Sequence, residues 1–145
     1  MSPVPIYDAP TPEILAELTL SAAEFDQLRT AASAAKAIAY CPYSKFRVGA
    51  ALLAPSGQII KGGNVENASY PVTTCAERVA IATAVTTFEV KTFRAIAVAT
   101  DISPPASPCG MCRQFIREFC DLKTPIIMFD KDEKFSYLRL EQVGC

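Results

Sequence analysis

The sequence predicts an α/β fold in which helices cover a mixed sheet, and two observations carry that prediction. First, a strand-like run at 93–99 precedes a helical segment from Cys109 to about Phe119 and a second strand-like run at 125–129. A strand, a helix and a strand joined by short connections imply a right-handed parallel crossover. Second, the runs at 47–53 and 58–61 flank Pro55-Ser56-Gly57, whose turn chemistry closes an antiparallel hairpin. With 145 residues the chain fits one core rather than two.

Taken in order, residues 1–20 carry prolines at 3, 5, 10 and 12 without a sustained period and read as an irregular N-terminal arm. Residues 21–145 read as a single domain. Ser21-Ala22-Ala23-Glu24 has capping-box spacing, and Phe25, Leu28, Ala32, Ala35 and Ile38 recur at helical spacing up to Pro42. The hairpin ends at Gly62-Gly63-Asn64, and the loop from Asn64 to Pro71 is rich in polar groups. From Thr74 the pattern turns helical, with Thr74 and Glu77 at capping-box spacing and an end near Thr87. A loop with Pro104, Pro105 and Pro108 leads to the Cys109 helix. After the strand at 125–129, the turn-like Lys131-Asp132-Glu133-Lys134 leads to a last edge strand at 135–138.

Fourteen basic and fifteen acidic side chains leave a formal charge of −1, and no basic run tracks a phosphate backbone, so nucleic acid is not an expected partner. Prolines, glycines and charges interrupt every apolar stretch short of a membrane span, and the N-terminus lacks a signal-like segment; the expectation is a cytoplasmic protein without a membrane partner.

Six cysteines and no histidine mean that any zinc site is built mainly from thiolates. Cys109-Gly110-Met111-Cys112 opens a helix, where two sulfurs point toward one place and the helix N-terminus favours thiolate. Such a pair alone suits a redox site or half of a structural zinc site. Cys75 at a second helix start supplies a third soft ligand, and three protein ligands leave the fourth tetrahedral position open, as in catalytic zinc sites. Cys41, Cys120 and Cys145 stand apart and read as apolar packing residues. Glu77, two residues past Cys75, is the candidate general acid and base, with helix capping as the competing role. Zinc with three thiolates sums to a negative charge, so Arg78 and Arg113, each next to a site residue, are candidate donors to the sulfurs.

Several separated motifs then carry a resemblance. Cys41-Pro42-Tyr43-Ser44 with Phe46 and Val48-Gly49-Ala50, Asn64 through Tyr70, Cys75-Ala76-Glu77-Arg78, and Ser107-Pro108-Cys109-Gly110 with Cys112-Arg113-Gln114 resemble, in order, the small homotetrameric zinc-dependent cytidine deaminases over about residues 20–130. The resemblance implies a three-layer α-β-α fold with a mainly five-stranded mixed sheet, so that 21–145 form one zinc-dependent deaminase domain. It implies one zinc per chain on Cys75, Cys109 and Cys112, and hydrolytic deamination of cytidine and 2′-deoxycytidine in pyrimidine salvage. Zinc-bound hydroxide would attack carbon 4, with Glu77 shuttling protons to the ring nitrogen and the departing ammonia. Asn64 and Glu66 would bind the ribose hydroxyls, Phe46 would pack beside the sugar or ring, and backbone groups near Ala76 and Ser107 would read the pyrimidine edge. Tyr70 would reach a neighbour's pocket in a homotetramer.

One departure stands out: where the family continues into a helix with a Leu-Leu-Pro stretch and a lid phenylalanine, this chain finishes Leu138-Arg139-Leu140-Glu141-Gln142-Val143-Gly144-Cys145. The aromatic lid is expected to be missing or replaced. Two alternatives remain open at this point. A zinc deaminase for another aminopyrimidine nucleoside or nucleoside antibiotic would not need Asn64 and Glu66 for a ribose, and a structural zinc or binding protein would place a fourth cysteine on the metal.

Overall fold

Strands that are apolar on both faces need a layer on each side. In the computed structural model, which describes residues 4–143, β3 (Ala95–Thr100) and β4 (Pro125–Phe129) are buried along their whole length. They lie at the centre of a five-stranded sheet with β1 (Val48–Leu53), β2 (Ile59–Gly63) and β5 (Phe135–Arg139), in the order β2-β1-β3-β4-β5. Only β3 and β4 run parallel; the other neighbours are antiparallel, as the predicted hairpin and crossover require.

Side-chain alternation divides the core between the two faces. Ala50, Leu52, Ile96, Val98, Ile126 and Met128 pack under α3 (Ala76–Thr87) and α4 (Gly110–Phe119) through Ala80, Ile81, Ala84 and Ile116. Ala51, Leu53, Ala97, Ile127 and Phe129 pack under α2 (Ala22–Ala35) through Phe25, Leu28 and Ala32. The result is the three-layer α-β-α arrangement. The capping box at Ser21 and Glu24 forms, each side chain bonding the other's backbone N–H at 3.0 Å.

Close helix-to-sheet approach depends on strand glycines, most of all Gly49 and Gly62. A Cβ at Gly49 would stand 2.1 Å from the Ala32 carbonyl oxygen of α2, and one at Gly62 would stand 2.4 Å from the Ala80 nitrogen of α3. Gly62 thereby sets α3, and with it the α3 N-terminus, tightly on the sheet.

Four expectations need correction. The arm at 1–20 is not irregular throughout: α1 (Pro12–Leu18) forms, capped by the Thr11 hydroxyl, which accepts from the Ile14 N–H at 3.2 Å. Proline at the first helical position is preorganised for a helix start and forfeits no bond there; Ile14 and Leu18 then join the α2 core. Ile38, placed in the buried period of α2, sits in a 3₁₀ turn after the helix and is 64% exposed. Gly62 and Gly63 extend β2 rather than end it. The cap of α3 is Cys75, not Thr74, and the Cys75 side chain makes no capping hydrogen bond, so the capping box expected of Thr74 and Glu77 does not form.

Ahead of α1, Tyr7 exchanges both backbone hydrogen bonds with Phe135 of β5, at 2.7 and 2.9 Å. Continued in register, Pro5 would face Tyr137, and proline has no N–H to offer. The segment parts from the edge strand there, and a cleft of about 600 Å³ opens between Val4, Pro5 and Tyr7 on one side and Tyr137, Leu138 and Arg139 on the other. This cleft is larger than the cavity onto which the thiols open, but it holds no thiol.

Candidate active site

Helices α3 and α4 lie on the same face of the sheet and each begins with a cysteine in extended conformation, Cys75 and Cys109. Cys112, one turn into α4, points back to the same place. The Cys75 and Cys109 sulfurs are 3.8 Å apart, those of Cys109 and Cys112 are 3.3 Å apart, and all three lie within 4.8 Å of one another. A tetrahedral zinc with bonds of about 2.3 Å to sulfur holds its sulfurs about 3.8 Å apart, so the donor set fits that ion. Among the described residues no fourth cysteine joins the cluster: Cys120 is buried in the core beneath α4 and Cys41 lies elsewhere. Cys145 lies outside the described residues.

The thiols share protons. Cys112, donating to Cys75 and buried, is held well above the usual thiol range, while Cys75, accepting from Cys112 and beside Arg78, is lowered to about 5. A divalent cation replaces such shared protons when the ligands deprotonate. The Arg78 guanidinium donates to the Thr73 carbonyl at 3.1 Å and to the Cys75 sulfur at 3.5 Å, and its buried Nε has no hydrogen-bond partner. A cation placed there offsets the negative charge of a three-thiolate site. Arg113 donates its backbone N–H to the Cys109 carbonyl, and its side chain lines a separate surface cleft with Gly110, Gln114 and Arg117.

The thiols open onto a cavity of about 300 Å³ that contains two carboxyls of opposite character. Glu77, in the first turn of α3, is 3% exposed, and burial pushes its carboxyl above the usual range. Its Cys112 contact and the Cys75 charge place it against the three thiols. Glu66, at the other end, is held below the usual range, chiefly by the Ser44 hydroxyl and then by the backbone N–H groups of Ser44 and Tyr43.

The same cavity brings together Phe46, Asn64, Ala76 and Ser107. Asn64 is buried and already engaged: its Oδ1 accepts from the Val48 N–H at 2.9 Å and its Nδ2 donates to the Phe46 carbonyl at 3.0 Å. It therefore fixes the wall that presents Phe46 as well as facing the cavity. Tyr70, expected to reach a neighbouring subunit, lines the rim of its own chain's cavity and is 81% exposed. Ser44, Thr73, Val98 and Thr100 also line the cavity and received no site role from the sequence. Ser44 lay within a quoted motif; Val98 and Thr100 read as strand, and their inward face becomes visible only through the β1–β3 register.

A family model described as the cytidine and deoxycytidylate deaminase zinc-binding region matches residues 24–128. The cytidine deaminase of Sporosarcina psychrophila is 48% identical over 105 residues, 72% of this chain and 76% of that protein. That of Mycoplasma pneumoniae is 46% identical over 106 residues, 72% of this chain and 79% of that protein. The crystal structure of cytidine deaminase from Burkholderia pseudomallei superposes with a TM-score of 0.76 at 38% identity, covering 79% of this chain and 91% of that one. The Mycobacterium leprae cytidine deaminase gives 0.69 at 34% identity, covering 81% and 94%. Three thiols at two helix starts, spaced for one zinc, agree with these matches, and the chain belongs to the cytidine and deoxycytidylate deaminase zinc-binding family.

Proposed function

We propose that this chain hydrolytically deaminates cytidine and 2′-deoxycytidine to the uracil nucleosides and ammonia, with one zinc on Cys75, Cys109 and Cys112. The observation that carries the reading is the single cavity with two carboxyls in opposed environments, one against the thiols and one at the far polar end. Such a divergence assigns roles: a carboxyl raised by burial suits proton transfer, and one held ionised suits accepting hydrogen bonds.

Bound zinc supplies a Lewis acid that makes a water ligand acidic near neutral pH. The net reaction adds water at carbon 4 of the base and expels the amine, which needs one proton on the ring nitrogen and another on the departing nitrogen. Glu77 is the carboxyl placed to hold and deliver both. Burial at the base of the cavity keeps its proton from exchanging freely with solvent. The Ala76 and Ser107 backbone reads the pyrimidine edge, Phe46 packs on the sugar or ring, and Glu66 and Asn64 receive the ribose hydroxyls. Arg78 offsets the thiolate charge, and Arg113 supports the α4 side of the site.

The assembly is a homotetramer in which Tyr70 also meets a neighbour's site. Tyr40, Tyr43, Val65, Tyr70 and Val72, in the segments around the cavity, are large apolar side chains left exposed on the single chain, and neighbouring subunits would cover them. The enzyme works in cytoplasmic pyrimidine salvage, where a reducing milieu keeps its thiols free. Ammonia release from a panel of cytidine, 2′-deoxycytidine, free cytosine and other aminopyrimidine nucleosides tests the reading: turnover of the first two, abolished by chelation and restored by zinc, is expected, and turnover of free cytosine alone would overturn it. Light scattering across a dilution series tests the assembly; a fully active monomer would contradict it.

A further inference from the structure

We infer that Ser44 is a positioning residue for sugar recognition, locking the Glu66 carboxylate and the Phe46 backbone into one rigid wall of the cavity. The inference rests on the assignment of Glu66 to the ribose. One hydroxyl makes both connections: Ser44 Oγ donates to Glu66 Oε2 and accepts from the Phe46 N–H at 3.0 Å. The adjoining turn completes the clamp, with the Tyr43 and Ser44 N–H groups each donating to Glu66 Oε1 at 3.1 Å.

The count of acceptor positions gives this clamp a chemical consequence. A carboxylate offers about four lone-pair positions. Two donors fill Oε1 and the Ser44 hydroxyl takes one position on Oε2, so a single acceptor position remains for a ligand. Glu66 is thereby directed to accept one sugar hydroxyl along one direction, and Phe46, tied to the same oxygen, keeps its place relative to that direction. Asn64 holds the other side of the Phe46 peptide through its carbonyl, so the wall is fixed at both ends. Without the Ser44 hydroxyl, Glu66 Oε2 gains a second free position, and only the two N–H groups on Oε1 still orient the carboxylate.

Steady-state kinetics of S44A, S44T, E66Q and the S44A/E66Q double variant, on cytidine and on 2′,3′-dideoxycytidine, test the inference. For S44A the KM for cytidine should rise about tenfold, as expected for loss of a hydrogen bond to a charged group, while kcat stays within about twofold. The dideoxy compound, lacking both ring hydroxyls, should be little affected, and its turnover certifies a folded site. S44T, which keeps the hydroxyl, should recover most of the loss. S44A/E66Q should lose no more than E66Q alone, because Ser44 acts through Glu66. If E66Q discriminates between the two substrates but S44A does not, the role of Ser44 is overturned while that of Glu66 stands. If neither variant discriminates, the sugar assignment of Glu66 fails and the inference fails with it.

Discussion

Asn64 shows how one side chain can serve structure and recognition together. Its amide bonds Val48 and Phe46 on the strand-entry backbone of β1 while its remaining capacity faces the cavity. Replacing it by alanine leaves a part-buried N–H and a part-buried carbonyl without that partner, at a cost of at most about 1–3 kcal/mol for each group. N64A should therefore lower the urea midpoint as well as raise KM, and an unchanged midpoint would contradict the clamp. The thiols make the complementary case. Alanine at Cys75 removes one of three donors, so metal analysis should find zinc lost together with activity; full zinc retention would reject Cys75 as a ligand. The convergence of the three thiols with Glu77 beside them was legible in the sequence because helix-start spacing converts directly into direction. The clamp on Asn64 and the hydroxyl of Ser44 were not, because which backbone groups a polar loop meets depends on how two distant segments dock.

Among the elements, α1 was the least legible. Four prolines in the first twelve residues read as an irregular arm, yet Thr11 and Pro12 are a helix-start signal that a search for apolar periodicity overlooks in a seven-residue helix. The helix earns its place through tertiary contact: Ile14 and Leu18 are buried with Phe25 and Leu28. L18A should cost about 2–4 kcal/mol of unfolding free energy in a denaturant titration, the range for a buried leucine truncated to alanine, and a change below about 0.5 kcal/mol would contradict the packing. The sheet was more legible. Hairpin and crossover followed from turn chemistry and connection length, and all five strands lie within two residues of their expected bounds. The boundaries that slipped were those set by close packing, as where Gly62 continues β2 against α3 and Gly63 continues it against the end of α2 and Ala39.

At the scale of the molecule, Asp101 joins three parts of the frame around the cavity. Its carboxylate receives Lys36, from the turn after α2, at 2.9 Å and Arg47, ahead of β1, at 2.8 Å, while Asp101 itself follows β3. The Arg47 pair and then Lys36 hold it below the usual aspartate range. A carboxyl lowered by folding contributes stability that is present above its unfolded pKa and is lost as pH falls through its folded value. The partly exposed tie contributes about 1 kcal/mol or less at neutral pH, and the difference in unfolding free energy between the wild type and D101N should shrink as pH drops below about 4. A difference constant from pH 7 to pH 3 would show that the carboxylate charge is not what joins these parts. The frame serves one central claim, that Glu77 moves protons beside a zinc held by three thiolates. Zinc content and turnover measured on the same preparation of E77Q test it most directly: one zinc per chain with cytidine turnover reduced about 10²-fold or more is the expected result, and a zinc-loaded E77Q protein that turns over cytidine at the wild-type rate would contradict it.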